Sequence, residues 1–291
     1  TARARSQKNP SAARRRARSQ KRLEDGRVAH VAALEEKERR RGGAVRSFYV
    51  KAELSEPTSV SVIIPTLNEA ATLRAAIDSA RCDGMQSEII IVDGGSFDGT
   101  IELSEAAGCT VLRTSPAQRA RQMNAGARAA RADVLVFLHA DTHLASGALG
   151  AICEKMRDPH LVGGAFVRRY DSRSRLLALT CQLAAVRNRL WGWHLGDQAM
   201  FVRASVFRKL GGFAEIAIFE DLDFSRRLGR SGRIVTLCPP VISSGRRFAE
   251  RGPLRTTLHD LLLTCGYLLH GIDRREAAPV GNEPVVPRPS R

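Results

Sequence analysis

Short apolar runs alternate with amphipathic stretches from residue 60 onward. An uninterrupted apolar run is typical of a strand that is covered on both faces. Such runs predict strands at 60–65, 87–93, 109–114 and 134–138. The stretches with helical spacing are 68–81, 98–108 and 116–132. Asn68 would cap the first helix, and Pro116 would occupy the first position of the third. This alternation indicates a parallel sheet with right-handed crossovers.

The pattern is less regular after residue 141. It predicts strands at 161–170 and 198–203, and helices at 147–158, 173–190, 204–212, 219–232 and 254–272. The expected fold class is α/β, with a Rossmann-like, mostly parallel sheet flanked by helices. The expected units are a basic tail, disordered or partly helical (1–58), a main domain (59–250, with halves 59–141 and 142–250), a C-terminal helix (251–275) and a disordered tail (276–291).

Positive charge is concentrated near the amino-terminal end. The 291 residues have a formal net charge of +16, and residues 1–46 hold 15 Lys and Arg against 5 Asp and Glu. Three interpretations stay open: a solvated disordered tail, a targeting segment, and an arm that binds nucleic acid or an anionic membrane surface. Nucleic acid is not an expected partner of the protein. The expected location is the cytoplasm, or an organelle such as the plastid if the tail is a transit segment.

Cysteine spacing and hydropathy limit the metal sites, the disulfides and the membrane contact that we expect. Six cysteines are spread from Cys82 to Cys265 without a CxxC pair. This spacing argues against a zinc site and a disulfide framework, and it favours a reducing compartment. No apolar run reaches the ~18 residues that a membrane span needs, so we expect membrane contact to be peripheral at most.

Three polar loops follow predicted strands. They are PTLNE (65–69), DGGSFDGT (93–100) and HADT (139–142). Each loop alone is weak evidence, since a DGGS sequence is often only a tight turn. A parallel sheet, however, brings the carboxyl ends of its strands to one edge, where ligands bind. The sequence therefore predicts a ligand site at this edge.

The same stretches carry a family resemblance. SVIIPTLNEAATL, IIIVDGGSFDGT and FLHADT resemble the family 2 glycosyltransferases with the A-type nucleotide-diphosphosugar transferase fold, over about Ser59 to Arg247. A finer resemblance, to the arsenosugar-biosynthesis or selenium-domain-associated branch, is carried by RQMNAGA (121–127), FLHADT and GDQAMFVR (196–203). The family implies transfer of a sugar from a nucleotide-diphosphate donor to a small-molecule or glycan acceptor. It also makes 59–141 the nucleotide-binding half and 142–250 the acceptor half.

The resemblance implies a donor site in the first half. Pro65, Thr66 and Glu69 would line the base and ribose, and Asp93 would hydrogen-bond to the base. Arg119 would approach the nucleotide or its phosphates, with an exposed helix arginine as the alternative.

Asp141 is the expected ligand of a divalent cation, Mn²⁺ or Mg²⁺, which would neutralise the charge of the departing diphosphate. His139 stands where the family commonly has another aspartate. It would either bind the metal and favour Mn²⁺, or hydrogen-bond to ribose or phosphate; a purely structural histidine is the alternative. His143 and His194 are candidates for a further ligand.

Two carboxylates are expected at the start of a helix. The resemblance implies Asp221 as the base that takes the acceptor proton, with inversion, and Glu220 as its neighbour. The alternative is that acids in a first helical turn only interact favourably with the helix dipole. Asp223 is expected to face elsewhere.

An acceptor-side loop is expected before the strand at residue 198. Its residues are Gly196, Asp197 and Gln198. Trp191 and Trp193 would stack on a sugar ring or lie in the core. The arginine-rich segment 243–252 would form a lid over the diphosphate or a solvated loop.

Two other functions are alternatives to glycosyl transfer. One is a nucleic-acid- or polyanion-binding protein that acts through its basic tail, with a non-catalytic sheet domain. The other is nucleotidyl transfer, which would need a Gly-rich basic loop after the first strand; PTLNEA is neither.

Overall fold

The computed structural model describes residues 59–81 and 87–270, with side chains up to residue 267. The expectations for 1–58 and 276–291, including the targeting segment and the polyanion-binding arm, lie outside the described residues.

The first half follows the predicted alternation. Its strands are β1 (Val60–Thr66), β2 (Ser87–Asp93), β3 (Thr110–Arg113) and β4 (Val134–Phe137). Its helices are α1 (Ala70–Arg81), α2 (Thr100–Ala106) and α3 (Arg119–Ala129).

The second half adds four strands and six helices to the described residues. The strands are β5 (Thr142–His143), β6 (Leu161–Asp171), β7 (Met200–Arg203) and β8 (Arg233–Ser244). The helices are α4 (Ala148–Lys155), α5 (Arg175–Trp191), α6 (Ala204–Lys209), α7 (Glu220–Ser231), α8 (Arg246–Arg251) and α9 (Pro253–His270), and Gly196–Gln198 forms a 3₁₀ turn. In this part of the chain no helix is both long and apolar enough to cross a bilayer.

All eight strands form one sheet, in the order β3-β2-β1-β4-β7-β6-β8-β5. The pairs β2–β3, β1–β2, β1–β4 and β6–β8 are parallel, whereas β7 is antiparallel to both of its neighbours and β5 is antiparallel to β8. The α/β fold class is confirmed. The antiparallel β7 joins the parallel first half to the strands of the second.

The sequence pattern missed β8. This strand contains Pro239 and Pro240, which lack a backbone donor and ordinarily argue against a central strand. It pairs with β6 over nearly its whole length, and the pairing shifts register between Phe166 and Arg168. Pro239 and Pro240 lie in the stretch that this shift leaves unpaired, so they interrupt no ladder hydrogen bond.

Two predicted helix starts were also wrong. Helix α3 begins at Arg119 because Gln118 is extended, so Pro116 precedes the helix. Helix α1 begins at Ala70, whose N–H donates to the Asp98 side chain of the second loop at 3.1 Å. The cap is therefore supplied from a distant part of the chain, which local sequence does not reveal.

The core lies on both faces of the sheet. Val62 and Ile64 of β1 pack into a cluster with α1 and α4, and Ile63 packs with α3, α6 and α7 on the other face. All three side chains are fully buried. This burial on both faces explains why the strand sequences are continuously apolar.

Gly126 lets α3 lie directly on the sheet. A Cβ at this position would be 2.4 Å from Ile63 Cγ2 and 3.0 Å from Val92 Cγ2. Both neighbours are fully buried and belong to strands, so they have little room to move.

We predict that Gly126→Ala lowers the free energy of unfolding by roughly 1–3 kcal/mol, because the added methyl group overpacks this contact. Gly150→Ala is the matched control, since Gly150 lies within α4 and has open space around its Cα. The control should be neutral or stabilising by up to ~1 kcal/mol. Urea unfolding measures both, and equal midpoints for the two variants would contradict the packing argument.

Candidate active site

The first and second loops are joined by hydrogen bonds at the carboxyl ends of β1 and β2. The N–H of Asn68 donates to Ser96 Oγ at 2.8 Å, and Asn68 Oδ1 accepts the N–H of Phe97 at 3.0 Å. The N–H of Glu69 donates to Thr100 Oγ1 at 2.9 Å. The two loops therefore form one rigid unit.

The Asp93 carboxylate is engaged within its own turn. One oxygen accepts hydrogen bonds from the hydroxyls of Thr66 (3.2 Å) and Ser96, and the other from the N–H groups of Gly95 (2.7 Å) and Ser96 (2.8 Å). The side chain is fully buried. These bonds use about the whole accepting capacity of a carboxylate. Asp93 shapes the loop, and contact with a nucleotide base would require one of these bonds to break.

Two amide side chains of α3 form hydrogen bonds that fix neighbouring backbone segments. The sequence reasoning did not single them out. Gln122 Nε2 donates to the carbonyls of Thr66 and Val92, both at 2.8 Å. Asn124 exchanges two hydrogen bonds of 2.9 Å with the backbone of Phe213. The signal was present in the motif RQMNAGA, whose amides lie on the buried face of the helix.

The third loop carries His139 and Asp141. Its turn is closed by the Thr142 N–H, which donates to the His139 carbonyl at 3.0 Å. Burial lowers the pKa of His139, and Arg119 lowers it further, while three carboxylates oppose the shift. These are Asp141, Asp197 and Asp221. The imidazole thus lies in a charged cleft to which both halves of the chain contribute.

The Gly196 backbone lies directly against this imidazole. A Cβ on Gly196 would be 2.6 Å from His139 Nε2 and 3.1 Å from Asp221 Oδ2, so only glycine fits. The Gly196 N–H donates to Asp221 Oδ2. His139 Nε2 is buried and has no hydrogen-bond partner in the described part of the chain. An unpartnered buried nitrogen next to a carboxylate is unusual in a purely structural site.

Glu220 and Asp221 begin α7 at the same cleft. Arg119 Nη1 lies 3.5 Å from Glu220 Oε1. Burial and the neighbouring Asp221 raise the pKa of Glu220 to about 7, although Arg119 partly offsets them. Glu220 is therefore poised to change its charge near neutral pH.

Asp197 anchors the acceptor-side turn. Its Oδ2 atom accepts hydrogen bonds from Arg168 Nη1 and from the Tyr170 hydroxyl (3.3 Å). Burial disfavours its charge, but Arg168 and His139 outweigh this effect and hold the pKa of Asp197 below its usual range. Its Oδ1 atom is buried without a partner among the described residues. Arg168 and Tyr170 lie on β6 and were not anticipated from the sequence.

Two expected residues lie behind the cleft. The Gln198 amide donates to the Phe166 carbonyl at 3.0 Å and accepts from Arg187 (3.2 Å) and the Leu195 N–H (3.0 Å), so it braces the turn from within. His194 Nε2 lies 2.9 Å from Thr236 Oγ1, and burial lowers the pKa of His194 to about 4. His194 was a candidate for a further metal ligand; in the structure its Nε2 atom is engaged with Thr236 in the core.

The first loop meets the arginine-rich segment. Arg246 Nη2 of α8 lies 3.7 Å from Glu69 Oε2. Burial raises the pKa of Glu69; Thr72 and Arg246 act against the shift, and Asp141 adds to it. Pro65 and the buried Thr66 end β1 beside this loop. Around the cleft the structure thus gathers Glu69, Arg119, His139, Asp141, Gly196, Asp197, Glu220 and Asp221.

No three His, Cys, Asp or Glu side chains converge as a ready metal centre within 59–81 and 87–270. The protein donors next to Asp141 are therefore few, and a cation would need ligands from a bound molecule.

Comparison with known proteins gives the family and the fold. The model of the family "Glycosyl transferase family 2" matches residues 61–211. The PGL/p-HBAD biosynthesis glycosyltransferase of Mycobacterium tuberculosis is 29% identical over 213 residues, which are 69% of this chain and 80% of that relative. The undecaprenyl-phosphate 4-deoxy-4-formamido-L-arabinose transferase of Aeromonas hydrophila is 31% identical over 158 residues, covering 50% of this chain and 48% of that protein.

Solved structures share the fold at low sequence identity. The mannosyltransferase PcManGT of Pyrobaculum calidifontis, in complex with GDP-Man and Mn²⁺, gives a TM-score of 0.53 at 22% identity and covers 64% of this chain and 56% of that one. TarS 1–349 of S. aureus, in complex with UDP-GlcNAc, gives a TM-score of 0.53 at 16% identity and covers 64% and 58%. The chain therefore spans less than two thirds of these solved structures and about half of the Aeromonas relative.

The raised pKa of Glu220 predicts a pH effect on stability. Between its ordinary pKa near 4.5 and the folded value of about 7, the folded protein holds a proton that the unfolded chain releases. The free energy of unfolding should therefore fall as pH rises through this window, by up to about 3 kcal/mol from this group.

Glu220→Gln should remove this contribution, so the difference between variant and wild type should grow from pH 4.5 to 7. Urea unfolding at a series of pH values measures it. Glu105→Gln, in an exposed position, controls for the loss of one carboxyl group. A difference between Glu220→Gln and wild type that stays constant with pH would refute the prediction.

Proposed function

Because the chain belongs to glycosyl transferase family 2, we propose that it transfers a glycosyl group from a nucleotide-diphosphate sugar to an acceptor nucleophile. One observation carries the proposal: His139, which follows β4, shares a cleft with Asp221 of α7, and the Gly196 backbone lies against both. Residues from the two halves of the chain thus border one space, as a reaction between a donor and an acceptor requires.

The first half would bind the donor. Pro65, Thr66 and Glu69 lie on the joined loops, which Asp93 holds in shape. Two arginines border the same cleft: Arg119 faces Glu220, and Arg246 faces Glu69. Guanidinium groups suit phosphate oxygens, so both would contact the diphosphate. The complexes of the structural neighbours with GDP-Man and UDP-GlcNAc support a donor of this class.

A divalent cation, Mn²⁺ or Mg²⁺, is proposed at Asp141. The carboxylate chemistry fits either ion, and the unpartnered Nε2 of His139 adds a nitrogen that Mn²⁺ accepts more readily than Mg²⁺. Other ligands would come from the diphosphate oxygens, since the described residues supply too few donors. The bound cation would act as a Lewis acid that neutralises negative charge on the leaving diphosphate.

Asp221 is proposed as the base in a transfer with inversion. Its Oδ2 atom accepts the Gly196 N–H, which fixes the carboxylate beside the cleft. The base removes the acceptor proton as the new bond to the sugar forms, while the sugar–phosphate bond breaks on the opposite side. Glu220 has a pKa near 7 and interacts with both Asp221 and Arg119. Its protonation state therefore changes the charge next to the base.

The acceptor would approach the 3₁₀ turn. Gly196 and Asp197 face the cleft, whereas Gln198 supports them from within. The unpartnered Oδ1 of Asp197 is suited to accept a hydrogen bond from an acceptor hydroxyl. The proposed acceptor is a small molecule or a glycan, and the proposal includes the acceptors of the arsenosugar branch.

We predict that Asp221→Asn lowers the rate of transfer at least 100-fold, because an amide does not remove the acceptor proton. A panel of nucleotide sugars that includes UDP-GlcNAc and GDP-mannose, with and without Mn²⁺, first identifies the donor by the rise in melting temperature. Donor binding should persist in the variant, because the isosteric amide keeps an oxygen for the Gly196 N–H and loses only the bond that the Leu222 N–H donates to the other oxygen at 2.6 Å. Release of the nucleoside diphosphate measures transfer.

Asp223→Asn is the matched control for Asp221→Asn. Asp223 belongs to the same helical turn, but its carboxylate accepts a hydrogen bond from Arg227 Nε at 2.8 Å. This control should keep most of the activity. If Asp221→Asn lost donor binding and the control did not, Asp221 would belong to the donor site and not to proton transfer.

We predict that Asp141→Ala lowers metal-dependent turnover roughly 100-fold or more, since the cation contributes several kcal/mol to stabilisation of the transition state. Asp133→Ala is the control, because Asp133 is exposed and precedes β4 at the opposite edge of the sheet. Turnover at increasing Mn²⁺ concentration separates the two variants. Wild-type turnover that is unaffected by EDTA would rule out the cation.

A further inference from the structure

Helix α5 exposes a regular stripe of apolar side chains. Leu179, Leu183, Val186 and Leu190 are between 49% and 63% exposed. Their spacing of four, three and four residues places them on one helical face. The residues of α5 that are buried, Leu177, Ala184 and Asn188, lie on the opposite face. The stripe is therefore an outer surface of the described chain and not part of its core.

Helix α9 repeats this pattern beside it. Leu254, Leu258, Leu261 and Leu262 are between 54% and 71% exposed, and α9 contacts α5. We call the exposed stripes of the two helices the apolar surface. Exposed apolar area on adjoining helices often marks a site of interaction.

An arginine-lined cavity adjoins the end of the α5 stripe. It has a volume of about 400 Å³, and Trp191, Arg189 and Trp193 line it together with Arg226 and Arg230. Arg226 lies 5.3 Å from the centre of the Trp193 ring, and the two tryptophan rings are 5.8 Å apart. Trp191 is the last residue of α5 and is 59% exposed, so the cavity lies at the end of the helix that carries the stripe.

The charges around the apolar surface are positive and largely unpaired. No acidic side chain is among the described residues that line the cavity. Arg189 and Arg230 form no ion pair with an acidic residue of the described chain. On α9 the acidic Asp260 is paired with Arg247 at 2.5 Å, and α5 contains no acid. An occupant of this region must therefore be both apolar and anionic.

Charge selects among the possible occupants. Residues 1–46 of the same chain hold 15 basic and 5 acidic side chains, so they would be repelled by the unpaired arginines. A second copy in a symmetric pair would bring the same arginines together. A bilayer with anionic lipids offers an apolar interior for leucines, an interfacial layer for tryptophan and phosphate groups for arginines.

We propose that the apolar surface of α5 and α9 docks on an anionic lipid bilayer, and that the cavity formed by Arg189, Arg226 and Arg230 takes a lipid phosphate headgroup. Leu179, Leu183 and Leu190 enter the interfacial layer, and Trp191 lies at its polar boundary. The docking goes beyond the transfer reaction and does not depend on it.

Flotation of the full chain with vesicles tests the proposal. The vesicles consist of phosphatidylcholine alone or of phosphatidylcholine with phosphatidylglycerol. The basic tail also attracts anionic vesicles, but salt screens that attraction, whereas apolar insertion survives. The leucine variants are therefore compared at high salt, and the arginine variants at physiological salt, where variant and control share the same tail. No nucleotide sugar is present, so the result is independent of the proposed transfer activity.

The double variant Leu183→Ser and Leu190→Ser should bind about tenfold more weakly for each leucine removed. Gln182→Ser is the matched control, because Gln182 is an exposed polar residue of the same helix. Arg189→Gln with Arg230→Gln should lower the preference for phosphatidylglycerol about fivefold per arginine. Arg208→Gln, in an exposed position of α6, controls for the loss of positive charge.

Thermal melting checks that every variant is folded. Wild-type binding by the folded leucine variant would overturn the docking surface, and an unchanged lipid preference in the arginine variant would overturn the headgroup site. Light scattering supplies a further test. A wild-type dimer that becomes a monomer in the leucine variant, with unchanged vesicle binding, would show that a second copy covers the surface and would refute the proposal.

Discussion

Burial of the central strands on both faces is the constraint that organises this structure. Val62 and Ile64 of β1 point into one cluster and Ile63 into the other, so the strand offers no solvated face. A polar side chain in such a strand is costly unless it is fully hydrogen-bonded. Ser61 meets this condition, since its hydroxyl donates to Glu88 at 2.6 Å. Other polar side chains of the first half are displaced to the strand ends, and parallel topology brings those ends to one edge.

The polar groups at that edge fall into two classes. Asp93, Gln122 and Gln198 use their hydrogen-bonding capacity within the protein and hold the loops in place. His139 Nε2 and Asp197 Oδ1 are buried and lack partners among the described residues. Groups of the first class give the cleft its shape before any ligand enters. Groups of the second class have unmet hydrogen-bonding capacity. Under the proposed function a bound molecule would satisfy it, which is how a preorganised site gains specificity.

Sequence reasoning succeeded where the signal is local. Continuous apolar runs located β1, β2 and β4, and the structure places His139, which follows β4, near Asp221. Sequence reasoning failed where contacts between segments far apart in the sequence determine the structure. The cap that Asp98 gives to α1, and the pairing of Asp197 with Arg168, join segments that local periodicity treats separately. Strand β8 was missed because its prolines act locally against a strand, whereas its pairing with β6 depends on the whole sheet.

Arginine pairing distinguishes the cleft from the apolar surface. In the cleft, Arg119 is paired with Glu220, and it partly offsets the rise in the pKa of that carboxyl group. Under the proposed function, a diphosphate would compete with Glu220 for Arg119. Weakening this ion pair favours the protonated form of Glu220, so donor binding and proton uptake are linked. By the same linkage, protonation of Glu220 frees Arg119 and favours the donor. Arg189 and Arg230 of the cavity have no acidic partner in the described chain. A phosphate that binds them would therefore displace no carboxylate.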